Sequence, residues 1–228
     1  MIQKSKLAVL DIDDTLTDSQ HKHEDALLFA LKHFGIENID TNWKNYKNAS
    51  DSYIFKVNYE KTFKRDFTLS FIPEFEKVMT ERFATHKDSN AIKGALNIIN
   101  QLLHHSDYGI CFATGSLMRP AILKLQQAKL PVIPELIATS NGMFSREEIV
   151  TSAIKKAEKY FGISAFEEII SFGDGLWDLT TATNLNLHFV GVNDKNKKDF
   201  NLMGVKHHIK DWNSFQLKET EKKLGIQH

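Results

Sequence analysis

Residues 7–19 read LAVLDIDDTLTDS. Four apolar residues, Leu7 to Leu10, run straight into Asp11, Asp13 and Asp14. An unalternated apolar run of this length suits a strand covered on both faces. Three carboxylates within four positions repel one another, so a cluster at the end of such a strand needs a counter-charge.

The rest of the chain repeats the first half of this pattern. Short apolar runs recur at Gly109–Ala113, Leu136–Thr139, Ile169–Phe172 and His188–Val192, each ending in small or polar residues. Helical stripes separate them. Ile92, Ala95, Leu96, Ile99, Leu102 and Leu103 make one, and Ile122, Leu125 and Ala128 mark another over Pro120 to Leu130. Ser145 and Glu148 form a capping box ahead of Ile149, Ala153, Ala157 and Phe161. Strand–helix alternation of this kind predicts an α/β fold with a doubly wound, Rossmann-like parallel sheet.

One block breaks the alternation. Between Gln20 and Asp88 no buried strand is legible, but Ala26, Leu27, Ala30, Leu31 and Phe34 make a helical stripe, as do Phe71, Phe75, Val78, Met79 and Phe83. Tyr46 to Phe71 is rich in aromatic and basic residues without a clear period. The expected organisation is a catalytic core of residues 1–18 and 89–228 with an inserted α-helical cap of residues 19–88. The polar tail from Lys218 to His228 reads as a frayed helix, and His104-His105 and His207-His208 read as surface.

Bulk composition narrows the function classes. The 29 basic and 29 acidic residues of the 228-residue chain cancel, which argues against a nucleic-acid or membrane surface. The single cysteine, Cys111, reads as a core residue. No stretch has the length of a membrane span or the form of a signal peptide, so a cytoplasmic location is expected. No protein partner is implied.

Ligands of an open parallel sheet bind outside the carboxyl ends of its strands. The residues there are Asp11, Asp13, Asp14 and Thr15, then Thr114-Gly115-Ser116, then Gly173-Asp174-Gly175 and Asp178. If the sheet forms, Asp11, Asp13 and Asp174 converge, and an all-oxygen site of that kind suits Mg²⁺.

Three of these stretches carry a family resemblance. DIDDT resembles the first motif (DxDxT) of the haloacid dehalogenase-like hydrolases, FATGS their second, and SFGDGLWD their fourth (GDxxxD), in the right order and each at a strand end. The resemblance implies a phosphatase acting on a small phosphorylated metabolite. Asp11 would be the nucleophile, forming an aspartyl-phosphate, and Asp13 the general acid/base. Thr114 would bind the phosphoryl group. Asp11, the Asp13 backbone carbonyl and Asp174 would hold Mg²⁺, with Asp178 supporting its water shell. The third motif requires a cation. Arg146, opening the Ser145-capped helix, is the first choice, with Lys155 and Lys156 as alternatives. Asp13 argues against dehalogenation, because dehalogenating members lack that acid. A sugar phosphomutase and a non-catalytic binder of phospho-ligands remain alternatives. Asp14 reads as local structure, Trp177 as packing, and Tyr46, Tyr53, Phe55 and Tyr59 as cap core.

Overall fold

A computed structural model describes residues 2–226 of the chain. Strand β1 (Lys6–Leu10) is buried at every position. It pairs in parallel with β2 (Tyr108–Ala113) on one side and β4 (Glu168–Gly173) on the other, with Leu10 opposite both Phe112 and Phe172. The two-residue β3 (Ile137–Ala138) extends the sheet beyond β2, and β5 (His188–Val192) and β6 (His208–Ile209) extend it beyond β4. The order β3-β2-β1-β4-β5-β6 is that of a doubly wound parallel sheet. Chain order reverses between β1 and β4, so the crevice at their carboxyl ends is the place where such a sheet holds a ligand.

Helices α1 (Gln20–His33), α2 (Asp51–Phe63) and α3 (Ile72–Ala84) follow β1. They build an apolar cluster of their own around Phe55, Phe75, Met79 and Phe83, which the core enters through Leu117. The Phe55 and Phe75 rings stack with centroids 4.0 Å apart. The chain enters and leaves this cap side by side. Thr17 and Ala91 form an antiparallel bridge, and Asp18 donates its N–H to the Asn90 carbonyl at 3.0 Å.

The core then adds α4 (Ala95–His105), α5 (Met118–Gln127), α6 (Arg146–Phe161), α7 (Leu176–Asn184), α8 (Lys197–Leu202) and α9 (Leu217–Leu224). Helices α4 and α6 pack on β2, and α7 packs on β4 and β5. Gly109 in β2 is needed for this packing, because a Cβ there would lie 2.6 Å from the Phe161 ring of α6. Cys111 is buried in the sheet. No helix among the described residues is long and apolar enough to cross a membrane.

The structure departs from the sequence reading in four places. The segment without a clear period contains α2, whose buried residues are both polar (Asp51, Ser52, Asn58) and apolar (Ile54, Phe55). A helix facing an apolar cluster and a polar cleft together leaves no simple hydrophobic stripe. In α4 it is Ile98 that is buried, whereas Leu96 is 41 % exposed. The helix starts later than the pattern suggested, and Ile92 lies before it, its N–H bonded to the Leu16 carbonyl at 2.8 Å. His207 is buried and not a surface residue.

The C-terminal helix is docked, not frayed. Thr220, Glu221 and Leu224 of α9 are buried, whereas residues 227 and 228 lie outside the described chain. Glu221 Oε1 accepts hydrogen bonds from Lys6 Nζ at 3.0 Å and from the Tyr108 hydroxyl at 3.2 Å. The partners come from β1 and β2, more than a hundred residues away in sequence. A local polarity reading therefore had no means of detecting them. Without Glu221 the buried Tyr108 hydroxyl loses its acceptor and Lys6 keeps the more exposed Asp107, at 3.3 Å. Glu221→Ala is therefore expected to lower the unfolding free energy by about 2 kcal/mol in urea denaturation.

Candidate functional site

Beyond Leu10 the β1 ladder continues for one more bond, from the Asp11 N–H to the Phe172 carbonyl at 3.0 Å. That extended backbone sends Ile12 into the core and turns Asp11 and Asp13 to one side. The chain then turns at Asp14, which has φ of +51°. Asp is one of the few non-glycine residues that accept this left-handed region. Asp14 serves the turn: its N–H bonds the Thr17 carbonyl, its carbonyl accepts from Asn193, and its carboxylate pairs with Lys195 at 3.0 Å.

Arg146 reaches Asp11 from the first turn of α6. The capping box that starts this helix is complete, with Ser145 Oγ accepting the Glu148 N–H and Glu148 accepting the Ser145 N–H. Arg146 Nη2 donates to Asp11 Oδ1 at 3.0 Å and also to Asp178 Oδ1. Asp178 uses its second oxygen to accept the Gly175 N–H at 3.0 Å, closing the start of α7. Gly173 makes room for this carboxyl, because a Cβ there would lie 2.4 Å from it. Lys155 is exposed, and Lys156 donates to the Ile137 carbonyl at 2.6 Å. At about 1.5 Å of rise per residue, both stand roughly 14 Å further along α6 than Arg146, and neither meets Asp11.

Asp11, Asp174 and Asp178 bring one carboxylate oxygen each within 4.8 Å of one another, and all three residues are buried. Burial, then the neighbouring charges of Asp178 and Asp13, push the Asp11 carboxyl up to about 8 against the opposing pull of Arg146. Asp174 is raised well above the ordinary carboxylate range by burial and by Asp178 and Asp11. Burial disfavours the Arg146 charge, but Asp178 and Asp11 more than offset this and raise its pKa. One guanidinium thus serves two of three carboxylates, and no side chain of the described residues bonds the third, Asp174. Such a donor set, hard oxygens short of positive charge, fits a divalent cation of the Mg²⁺ type. The Asp13 carbonyl, which accepts no hydrogen bond from the described residues, is a further available oxygen.

Asp13 sits in a different environment. Lys124, on α5, is fully buried and donates to Asp13 Oδ2 at 2.7 Å; Ser19 donates to Oδ1 at 2.5 Å. Burial alone would raise the Asp13 carboxyl, but Lys124, the His23 imidazole and these hydrogen bonds outweigh it and hold it at about 2. Lys124 Nζ also lies 2.9 Å from His23 Nδ1 and 3.2 Å from Ser116 Oγ. His23 Nε2 in turn meets Asp51 Oδ1 at 2.9 Å. The second Asp51 oxygen accepts the Leu117 N–H at 3.0 Å. A chain of polar contacts therefore runs from Asp13 through α5 into the cap helices α1 and α2.

The cap meets the core again at the loop after β2. The Asp51 N–H bonds the Gly115 carbonyl at 2.9 Å, and a Cβ at Gly115 would lie 2.3 Å from the Ala49 carbonyl oxygen. Thr114 Oγ1 accepts the Ser116 N–H at 3.1 Å, which folds this loop under the crevice. The resulting cavity has a volume of about 90 Å³. Asp11, Asp13, Thr114, Arg146 and Asp174 line it from the core, and His23, Glu24 and Asp51 from the cap. Trp177 is half-buried, packs over Gly175 and lines the cavity too.

Sequence reasoning passed over His23, Asp51 and Lys124. For Lys124 a signal existed. The buried positions of α5 are Pro120, Ala121, Lys124 and Leu125, so a lysine stands on the inward stripe of an amphipathic helix. His23 and Asp51 carry no such mark, since they meet only when α1 and α2 fold over the core.

The family profile of the haloacid dehalogenase-like hydrolases matches residues 8–192. No curated protein sequence matches the chain. Solved structures share its fold at low identity. A hydrolase from Pseudomonas syringae is 20 % identical with a TM-score of 0.69, covering 95 % of this chain and 99 % of its own. A family IA, variant 3 hydrolase from Entamoeba histolytica is 16 % identical with a TM-score of 0.69, covering 97 % and 99 %. CbbY from Rhodobacter sphaeroides, solved in complex with phosphate, is 15 % identical with a TM-score of 0.65, covering 94 % and 96 %.

Lys124→Met removes the cation that compensates Asp13 while keeping the volume of the side chain. Because the pair is buried, the substitution is expected to destabilise the protein by about 3 kcal/mol. Paired urea titrations of the variant and the parent chain at neutral pH measure this. A much smaller loss would mean that Asp13 finds its counter-charge elsewhere.

Proposed function

The chain belongs to the haloacid dehalogenase-like hydrolases, and on that basis we propose that it is a Mg²⁺-dependent phosphatase of a small phosphomonoester, working through a phosphorylated Asp11. The observation that carries this reading is the position of Asp11, with Arg146 Nη2 at 3.0 Å and one carboxylate oxygen each of Asp174 and Asp178 within 4.8 Å. A carboxylate in that position is screened from an incoming phosphoryl group by cations and held still to attack it.

In this reading Asp11 attacks phosphorus in line and the ester oxygen departs on the far side. Arg146 orients the Asp11 carboxylate and Asp178 anchors Arg146. Thr114, at the crevice floor, hydrogen-bonds the phosphoryl oxygens. Asp13 stands ready as a base, since Lys124 and Ser19 hold it anionic. Bound phosphate places further negative charge beside it and raises its proton affinity, so that it takes up a proton from solvent as the ester binds and gives that proton to the leaving oxygen. It then takes a proton from the water that hydrolyses the acyl phosphate. Asp11, Asp174 and the Asp13 carbonyl would hold the Mg²⁺, with Asp178 supporting its water shell; when bound, the ion neutralises the phosphoryl oxygens. The cap at residues 19–88 closes the crevice in this scheme, and the paired crossings at Asp18 and Asn90 support that boundary.

Hydrolysis of a panel of phosphomonoesters is expected in the presence of Mg²⁺ and to be lost in EDTA. Asp11→Asn is expected to lose activity by about 10³-fold or more, because the amide is no nucleophile. Failure of every ester would end the phosphatase reading, and activity retained in Asp11→Asn would end the covalent mechanism.

The acidic cluster also predicts a pH-dependent effect of the metal on stability. Asp11 and Asp174 are raised in the folded state, so the metal-free protein is stabilised by their protonation and loses that stabilisation as pH rises towards 8. Mg²⁺ competes with those protons. Its effect on Tm is therefore expected to be larger at pH 8 than at pH 5.5, by about 4 °C or more in thermal melts with and without EDTA.

A further inference from the structure

The cap side of the cavity carries a carboxylate that the proposed reaction does not use. Most carboxylates around the cavity are committed. Asp11 is paired with Arg146, Asp13 with Lys124, and Asp51 with His23 and the Leu117 N–H. Asp174 belongs to the metal-type cluster. Glu24, on cap helix α1, is different. Its Oε1 accepts the amide of Gln20 from its own helix at 2.9 Å, and no basic side chain of the described residues forms a direct ion pair with it; Lys195 attracts it from across Gln20, whose Oε1 accepts from Lys195 Nζ at 3.1 Å.

Two half-buried indoles accompany Glu24. Trp43 comes from the cap and Trp177 from the start of α7, and both line this cavity and the groove that leads out of it. An indole face attracts a cation, and a carboxylate next to it strengthens the attraction. The cavity volume, about 90 Å³, is far below the roughly 300–1,000 Å³ of sites for drug-sized ligands. The groove that leads out of it adds about 220 Å³, which leaves room for a small leaving group. Arg146, which lines the cavity, is committed to Asp11 and Asp178, and Lys195 of the outer groove is paired with Asp14 at 3.0 Å, while Lys44 of that groove is exposed. A second anionic group beside Glu24 would therefore meet no cation lining the cavity, among the described residues, that lacks a carboxylate partner.

Resting on the phosphatase reading, we propose that the substrate is the phosphate ester of a small amino alcohol, its ammonium group bound by Glu24 between Trp43 and Trp177. Esters bearing a second anion are refused by the same carboxylate, so that selectivity comes from repulsion as well as attraction.

Three two-carbon esters test this, since they differ only at the end away from phosphorus: 2-aminoethyl phosphate, 2-hydroxyethyl phosphate and phosphoglycolate. With Mg²⁺ present, kcat/KM is expected to fall in that order, with about tenfold or more between the ammonium and the carboxylate. Glu24→Gln should draw the three together, mainly through KM, and Glu24→Lys should reverse the order. Three results would overturn the assignment: phosphoglycolate hydrolysed as well as the amine, the ammonium preference unchanged in Glu24→Gln, or all three esters inert while p-nitrophenyl phosphate is hydrolysed. Inertness towards the aryl phosphate as well would instead remove the phosphatase reading, and this assignment with it.

Discussion

The bond from Arg146 to Asp11 is the contact around which the rest of the site is organised. A buried guanidinium is tolerable only with carboxylates around it, and buried carboxylates are tolerable only with a cation among them. Arg146 meets both Asp11 and Asp178, and so ties the end of β1 to the starts of α6 and α7. Each partner is delivered by a separate local device. The ladder bond to Phe172 sets Asp11, the Ser145–Glu148 box starts the helix at Arg146, and the missing side chain of Gly173 admits Asp178. The site therefore depends on sheet register and helix capping before it depends on any chemistry.

Asp11 and Asp13 lie two residues apart and are driven in opposite directions. Burial among like charges raises the first to about 8, whereas Lys124 and Ser19 hold the second at about 2. Two neighbouring carboxylates with such different proton affinities can play different parts in one reaction. The difference arises from where the cations stand. Arg146 is shared between two acids, while Lys124 faces Asp13 and is backed by His23 from the cap. The environment of Asp13 thus depends on cap and core being together, and the bond from Asp51 to the Leu117 N–H holds them so.

Much of the core could be read directly from the chain. Apolar runs without alternation marked β1, β2, β4 and β5, because strands buried on both faces need apolar side chains at every position. The Ser145–Glu148 box marked the start of α6, because capping is a local interaction. The cap was less legible. Helix α2 buries Asp51 and Ser52 as well as Phe55, and a helix with two different neighbours carries no single stripe. The tail was misread because Glu221 finds Lys6 and Tyr108 across the whole length of the sequence.

Which residues stand at the strand ends is legible in the chain alone: the DxD pair, Thr114 and the Asp174–Asp178 segment. Strand periodicity and chain order are local properties, and a parallel sheet brings such ends to one edge wherever it forms. The meeting of the inward Lys124 with Asp13, its extension into the cap through His23 and Asp51, and the place of Glu24 on the cavity wall come from the tertiary structure alone. Those facts depend on how α1, α2 and α5 lie across one another. That arrangement is set by packing between segments far apart in the chain, which no short window of residues encodes.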